Sequence, residues 1–303
     1  MDLPPLPPSD DVYAAFKVTV LPAAGAAALT YALVLAVDRR LGALASALAI
    51  LAGLAYANWV ELRLPWNPDP AKSVSVAWEW LPRAVILSVA VGLGSRWLGL
   101  ALNRWPWLAT LAVWLPRLTA TIIAAFWLVP ERVREPEPWL LPAFAAIAFL
   151  DWLILDGLAR ARDATLPFDL AAMMIAASAV ILYSHSARFM DVAAMAGAAL
   201  FAIGVVARAA RPVDMSGAVP AAVALLPGLL LSTHVSTENL VPKSAYLLVA
   251  LAPLALAPWL IPALARRTGP FARVLRFAVL LIPLIVAGIL AGRVESLPWE
   301  AEW

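Results

Sequence analysis

The amino-acid sequence predicts an all-α polytopic integral membrane protein with about ten transmembrane helices and no soluble domain. Three observations carry this prediction. Of the 303 residues, 63% are hydrophobic, and the mean hydropathy is +0.85. A soluble domain is only about half apolar, so the excess indicates burial in a membrane. The apolar residues also form runs near the roughly 20 residues that a helix needs to cross a bilayer.

Ten such runs follow one another along the whole chain. The predicted spans cover residues 16–37, 41–62, 80–100, 105–129, 139–160, 168–186, 189–210, 217–234, 244–265 and 271–292. The connection between spans six and seven is very short, so merging them gives nine spans as the competing count. Ten spans also allow a division into five plus five with inverted halves, an arrangement found in transporters.

Charged residues between the spans predict the orientation of the chain. Connections after odd-numbered spans hold more arginine than the other side, where most of the acids fall. Basic residues favour the cytoplasmic side, which predicts that both termini face outward. Tryptophans such as Trp59, Trp80 and Trp139 lie at span ends, as an interfacial aromatic belt requires.

The composition also excludes several classes of function. The chain has no cysteine, which rules out disulfides, thiolate metal sites and cysteine nucleophiles. The basic residues form no concentrated patch, so no nucleic-acid partner is predicted. No phosphate-binding glycine loop and no nucleophile elbow occurs. We therefore predict no cofactor, name no catalytic residue, and expect no ATP-driven transport by this chain alone.

One arginine and one aspartate stand out inside spans four and five. Arg117 precedes Arg134 of the intervening turn by 17 residues, and Asp151 follows it by the same number. Helices rising about 1.5 Å per residue would place both near the bilayer midplane. An unpaired charge there costs at least about 2.5–3.5 kcal/mol, so we predict an intramembrane ion pair between Arg117 and Asp151. Trp114 and Trp152 are placed to stack on the guanidinium.

This predicted pair has a structural and a functional interpretation. A buried pair can simply fix the register of two packed helices, or it can act as a proton relay or substrate clamp. The structural interpretation is favoured, because no second titratable group is predicted at that depth. Asp156 and Arg160 are expected to form an ordinary i,i+4 pair nearer the inner surface.

The two histidines predict a second group of polar residues. This outer polar cluster comprises His185, Arg188, Asp191, His234 and Glu238, at the outer ends of spans six and eight. Such a group can shuttle protons or hold an anionic headgroup. The alternative is two polar loops that share a side of the membrane. No metal-ligand spacing is present, so no metal is predicted.

A third group is basic. Arg266, Arg267, Arg273 and Arg276 are expected on the inner surface. There they would determine topology, an interpretation favoured over a site for anionic lipid headgroups.

The leading functional hypothesis is a bacterial inner-membrane protein that moves a small solute or lipid without ATP. One alternative is a non-catalytic membrane subunit that anchors or assembles a larger complex. The other is a membrane-embedded enzyme acting on a lipid-linked substrate through the outer polar cluster, although a non-enzymatic role is favoured. The predicted partners are membrane lipids; other membrane subunits and a second copy of the chain are left open.

Overall fold

A computed structural model describes residues 16–62, 77–134, 136–161, 165–184, 186–210, 214–236, 241–265 and 269–293. Throughout these ranges the ordered elements are helices, and none is a β-strand. Their length and apolar composition establish an all-α polytopic membrane protein, as the sequence predicts.

Ten main helices follow one another in the described chain. They are α1 (Leu21–Val37), α2 (Gly42–Ala57), α3 (Leu81–Ala101), α4 (Pro106–Leu128), α5 (Leu140–Arg160), α6 (Leu166–Leu182), α7 (Ala187–Ala210), α8 (Val219–Ser236), α9 (Lys243–Ala250) and α10 (Pro270–Ala291). A 3₁₀ helix, Ala252–Leu260, continues α9, and π-helical turns, Phe16–Val20 and Asn58–Leu62, flank α1 and α2. The short helices Arg39–Leu41, Ala77–Trp80, Glu131–Arg134 and Pro262–Ala265 lie in the connections.

Each predicted span corresponds to one of these helices. Nine of them, with α9 counted together with its 3₁₀ continuation, are long and apolar enough to cross a membrane, and α6 is shorter at 17 residues. Tyr183 and Ser184 form a turn between α6 and α7. The two are therefore separate helices, and the merged nine-span alternative is not observed.

Successive helices alternate in direction, which divides the molecule into two sides. We call the side on which α1 begins the N-side. Gly292, at the end of α10, lies against Tyr183 at the end of α6, and this contact is on the N-side. Gly157 of α5 lies against Leu260 at the end of the 3₁₀ segment, on the opposite side. The described chain thus begins and ends on the same side.

Helix α8 is the centre of the bundle. Every residue from Val219 to Thr233 is buried, and α8 contacts α2 to α7 and α9. A helix that is apolar around its whole circumference can be covered by neighbouring helices on every face. Seven of the other helices are therefore packed around α8.

The start of α8 is fixed tightly on the opposite side. An ideal Cβ on Gly217 would lie 1.8 Å from the carbonyl oxygen of Ala43, so only glycine allows this approach. Arg96 of α3 forms an ion pair with Asp214 at 2.9 Å. The Ser216 hydroxyl donates to Asp214 at 2.7 Å. These contacts join α2, α3 and α8.

We expect Gly217→Ala to destabilise the protein by about 1–3 kcal/mol, as overpacking typically does. The new methyl group would meet a backbone atom, which cannot rotate away as a side chain can. Thermal unfolding in detergent, followed by tryptophan fluorescence, measures this effect. Gly94→Ala is the control, because an ideal Cβ on Gly94 meets nothing within 4 Å. Equal melting temperatures for the two variants would contradict the prediction.

Candidate functional site

The Arg117 guanidinium lies in a buried charged cluster at the middle of α4. The residue is 2% exposed, and its Nη1 lies 2.8 Å from Oδ2 of Asp156 in α5. Its Nε donates a hydrogen bond to the Ser95 hydroxyl of α3 at 3.0 Å. The same Asp156 oxygen lies 2.8 Å from Arg160, which confirms the expected i,i+4 pair. One carboxylate therefore serves two arginines.

Two tryptophans enclose the same guanidinium. The Arg117 guanidinium carbon lies 4.9 Å from the centre of the Trp114 ring and 5.4 Å from that of Trp152. These distances are within the range of cation–π attraction, which strengthens when water is excluded. The stacking predicted from the sequence is confirmed for both rings.

The predicted partner of Arg117 was wrong, because the ion pair forms with Asp156 and not with Asp151. The backbones of Arg117 and Asp151 lie at equal depth along the two helix axes. Side chains in a helix, however, lean toward its N-terminus. Since α4 and α5 are antiparallel, Arg117 and Asp156 lean toward each other. Arg117 and Asp151 start at equal depth and lean apart.

Asp151 is instead a buried carboxyl group without a visible partner. It is 1% exposed, and neither of its oxygens has a hydrogen-bond partner among the described residues. Positions four apart lie on one face of a helix, so Asp151 is one turn beyond Ile147 on that face of α5. Ile147 lines a cavity between α5, α8 and α9. Asp151 therefore lies on the face of α5 that borders this cavity, one turn deeper in the bundle.

This cavity, which we call the central cavity, has a volume of about 70 Å³. Its walls are apolar except toward the N-side, where His234, Lys243 and Tyr246 line it. Lys243 forms an ion pair with Glu137. The His234 ring lies 5.5 Å from the Tyr246 ring, and its Nδ1 has no hydrogen-bond partner in the described ranges. The central cavity thus has a polar end at the N-side and an apolar end toward Asp151.

Two interrupted helices border the apolar end of the central cavity. Pro227 lies inside α8 and lines the cavity. Proline has no N–H, so the carbonyl of Val223 loses its helical hydrogen bond there. Ala250 also lines the cavity and is the last α-helical residue of α9 before the 3₁₀ segment. Backbone carbonyls that lack regular α-helical partners therefore occur near mid-depth.

A second buried ion pair joins α6 to α10. Arg276 and Asp169 are 4% and 2% exposed, and their side chains lie 2.5 Å apart. Arg276 was expected on an inner basic surface, and this prediction was wrong because the side chain is buried. Asp169 was not among the predicted site residues. Of the same basic group, Arg273 is exposed, and Arg266 and Arg267 lie outside the described residues.

The structure describes three of the five residues of the outer polar cluster. Arg188 is exposed on α7, while Asp191 and His234 are half-buried, the former on α7 and the latter at the end of α8. His185 and Glu238 lie outside the described residues. Within the part of the chain that is described, no three histidine, aspartate or glutamate side chains converge as metal ligands would. The joint site remains a prediction.

Comparison with protein-family models, curated proteins and solved structures found no match.

We expect Asp156→Leu to destabilise the protein by about 3–5 kcal/mol, because it leaves the buried Arg117 charge without its carboxylate. Asp151→Leu is the matched variant: the same substitution in the same helix removes a carboxyl group that bonds to no described residue. Its free energy of unfolding should stay unchanged or rise. Denaturant titration in detergent measures both, and equal losses would contradict this assignment of the ion pair.

We expect Asp169→Leu and Arg276→Met each to destabilise the protein, because each removes one member of a buried ion pair. The double variant should lose less free energy than the two single losses added together, by about 0.5–3 kcal/mol, as for contacting residues. Additive losses in the same unfolding assay would mean that the two side chains do not interact.

Proposed function

We propose that the protein is a transporter that moves a small solute across the membrane without ATP, and that Asp151 binds the moving or coupling cation. The observation that carries this proposal is the burial of Asp151 in a membrane-spanning helix, without a hydrogen bond or ion pair to any described residue. Ionisable residues at this depth are costly and typically mark ion or substrate pathways. A bound cation would supply the missing partner.

The interrupted helices support the same function. In many transporters, cations are held at mid-membrane by backbone carbonyls of broken helices. Irregular backbone is tolerated there when it is buried in protein or lines a cavity. Pro227 of α8 and the change of helix type after Ala250 of α9 lie on the central cavity. Asp151 and the nearby carbonyls would together form an oxygen-rich cation site.

The central cavity supports access to Asp151 from the N-side. Ile147 lines the cavity, and Asp151 lies about 6 Å beyond it along α5 at 1.5 Å per residue. The Lys243–Glu137 pair and His234 lie at the polar end. Toward the opposite side, the Asp156 carboxylate and Arg117 fill the space between α4 and α5. Alternating access requires that a binding site such as Asp151 open to one side of the membrane at a time.

The cellular setting belongs to the same proposal. Composition favours the inner membrane of a bacterium, and the distribution of arginine favours an outward-facing N-side with both termini outside. The membrane-subunit and enzyme hypotheses remain predictions, and no structural observation on the described residues favours either of them.

The test compares cation flux in liposomes that contain the purified chain or no protein. A dye inside the vesicles reports proton entry under an imposed membrane potential, and parallel assays follow sodium and a labelled phospholipid. We expect wild-type flux of a cation, and in Asp151→Asn a fall to the level of empty liposomes, since the amide removes the negative charge. Glu131→Gln is the control, because Glu131 is exposed in the α4–α5 connection.

The assay separates two kinds of failure. Flux of none of the three species above empty liposomes contradicts a cation-coupled or lipid transporter. Undiminished cation flux in Asp151→Asn contradicts the assigned role of Asp151 alone. Flux of the phospholipid without any cation flux would identify a lipid carrier in place of the solute transporter proposed. A melting curve for each variant confirms that it is folded.

A further inference from the structure

A second cavity, which we call the lateral crevice, lies between the end of α2 and the start of α3. Its volume is about 320 Å³, and Val192 of α7 and Leu225 of α8 form its floor. We propose that the lateral crevice binds one chain of a neutral lipid that carries a hydroxyl group. This site is separate from the central cavity and does not depend on the transport proposal.

The lateral crevice opens toward the bilayer. Val192 and Leu225 on its floor, and Leu81 on its wall, are each 2% exposed. At its rim, Ile86 is 43% exposed, and Ala55 is also exposed. Exposed apolar faces of a membrane-spanning bundle lie against lipid. A ligand therefore enters sideways from the membrane.

Its dimensions fit one lipid chain. The α2 wall runs from Leu51 to Asn58, which covers about 10 Å at 1.5 Å per residue. Half of a bilayer's hydrocarbon core is about 15 Å thick. The volume lies at the lower end of ligand pockets, which span about 300–1,000 Å³. It also exceeds the roughly 150 Å³ that holds one benzene molecule.

One polar side chain lines the lateral crevice. Asn58 stands where α2 changes to a π-helical turn. Its Oδ1 is buried without a hydrogen-bond partner among the residues described. A side-chain amide both donates and accepts, so one hydroxyl group satisfies it. An ordered water needs two to four polar partners, and this lining offers a single polar side chain.

The lining also excludes a charged headgroup. No lysine, arginine, aspartate or glutamate lines the lateral crevice. A phosphate or carboxylate drawn into it would lose its hydration without gaining a partner, which is strongly unfavourable. The occupant therefore combines an apolar chain with an uncharged hydroxyl group near Asn58.

Photo-crosslinking of the full chain in phosphatidylcholine nanodiscs tests the proposal. The probe is a long-chain alcohol that carries a diazirine on its chain, and mass spectrometry locates the label. We expect labelling in residues 51–58 and 81–86. Asn58→Leu should weaken it about three- to tenfold, as the loss of one hydrogen bond implies.

A second variant tests the position of the site. Ala55→Phe places a ring at the rim and should abolish the labelling. Ala55 is exposed, so the change does not disturb the core. Ala32→Phe, at an exposed position on α1, is the matched control and should leave labelling unchanged.

Four results would overturn the proposal. A label elsewhere in the chain contradicts the proposed position of the site. A label that Ala55→Phe leaves unchanged contradicts it as well. Equal labelling by an alkane probe of the same length shows that the hydroxyl group does not contribute to binding. Stronger labelling by a diazirine phosphatidylglycerol shows that a charged lipid is the ligand. None of these measurements depends on flux, so they fail or succeed separately from the transport assay.

Discussion

Burial of the Arg117 guanidinium constrains how four helices pack together. Asp156 of α5 forms an ion pair with the guanidinium, and Ser95 of α3 accepts a hydrogen bond from it. Trp114 and Trp152 cover its two faces. Trp152 and Pro220 of α8 both approach the same small residue of α3, Gly92. Sliding α4 past α5 by one turn, about 5.4 Å, would separate the charges. The cluster therefore selects one register, which is the best-supported role of buried polar groups.

The number and limits of the helices follow closely from the sequence, because a membrane span depends on local apolarity and length. The burial of Arg117 and its contact with two tryptophans were predictable for the same reason, since they depend on position within a run. The change of α9 to a 3₁₀ helix also occurs where Pro253 and Pro258 remove backbone donors.

The ion-pair partners of the buried arginines were less predictable from the sequence. Asp151 and Asp156 differ in depth by only five residues, and the direction of the side chain decided between them. Asp169 and Arg276 lie near the ends of helices that are far apart in sequence, so each looked like an ordinary boundary charge. Hydropathy does not reveal which helices are neighbours, and only the packing of α6 on α10 brings these two residues together.

Three of the ion pairs lie in one half of the bundle, and both cavities lie in the other. Pairs that involve Arg96, Arg117 and Arg276 link helices in the half opposite the N-side. The central cavity and the lateral crevice both lie in the N-side half. Of the described ion pairs, Lys243–Glu137 lies in the N-side half, beside the central cavity.

The 3₁₀ segment makes the α9 span longer than an α-helix with the same number of residues. A 3₁₀ helix rises about 2.0 Å per residue, compared with 1.5 Å for an α-helix. The nine residues from Ala252 to Leu260 therefore extend the span by about 4.5 Å beyond its α-helical length. With α9 they reach about 30 Å, the thickness of the hydrocarbon core. An α-helix over the same nine residues would be shorter and would place Ile261 and the connection to α10 nearer the membrane centre, so the 3₁₀ segment lets α9 cross the bilayer with few residues.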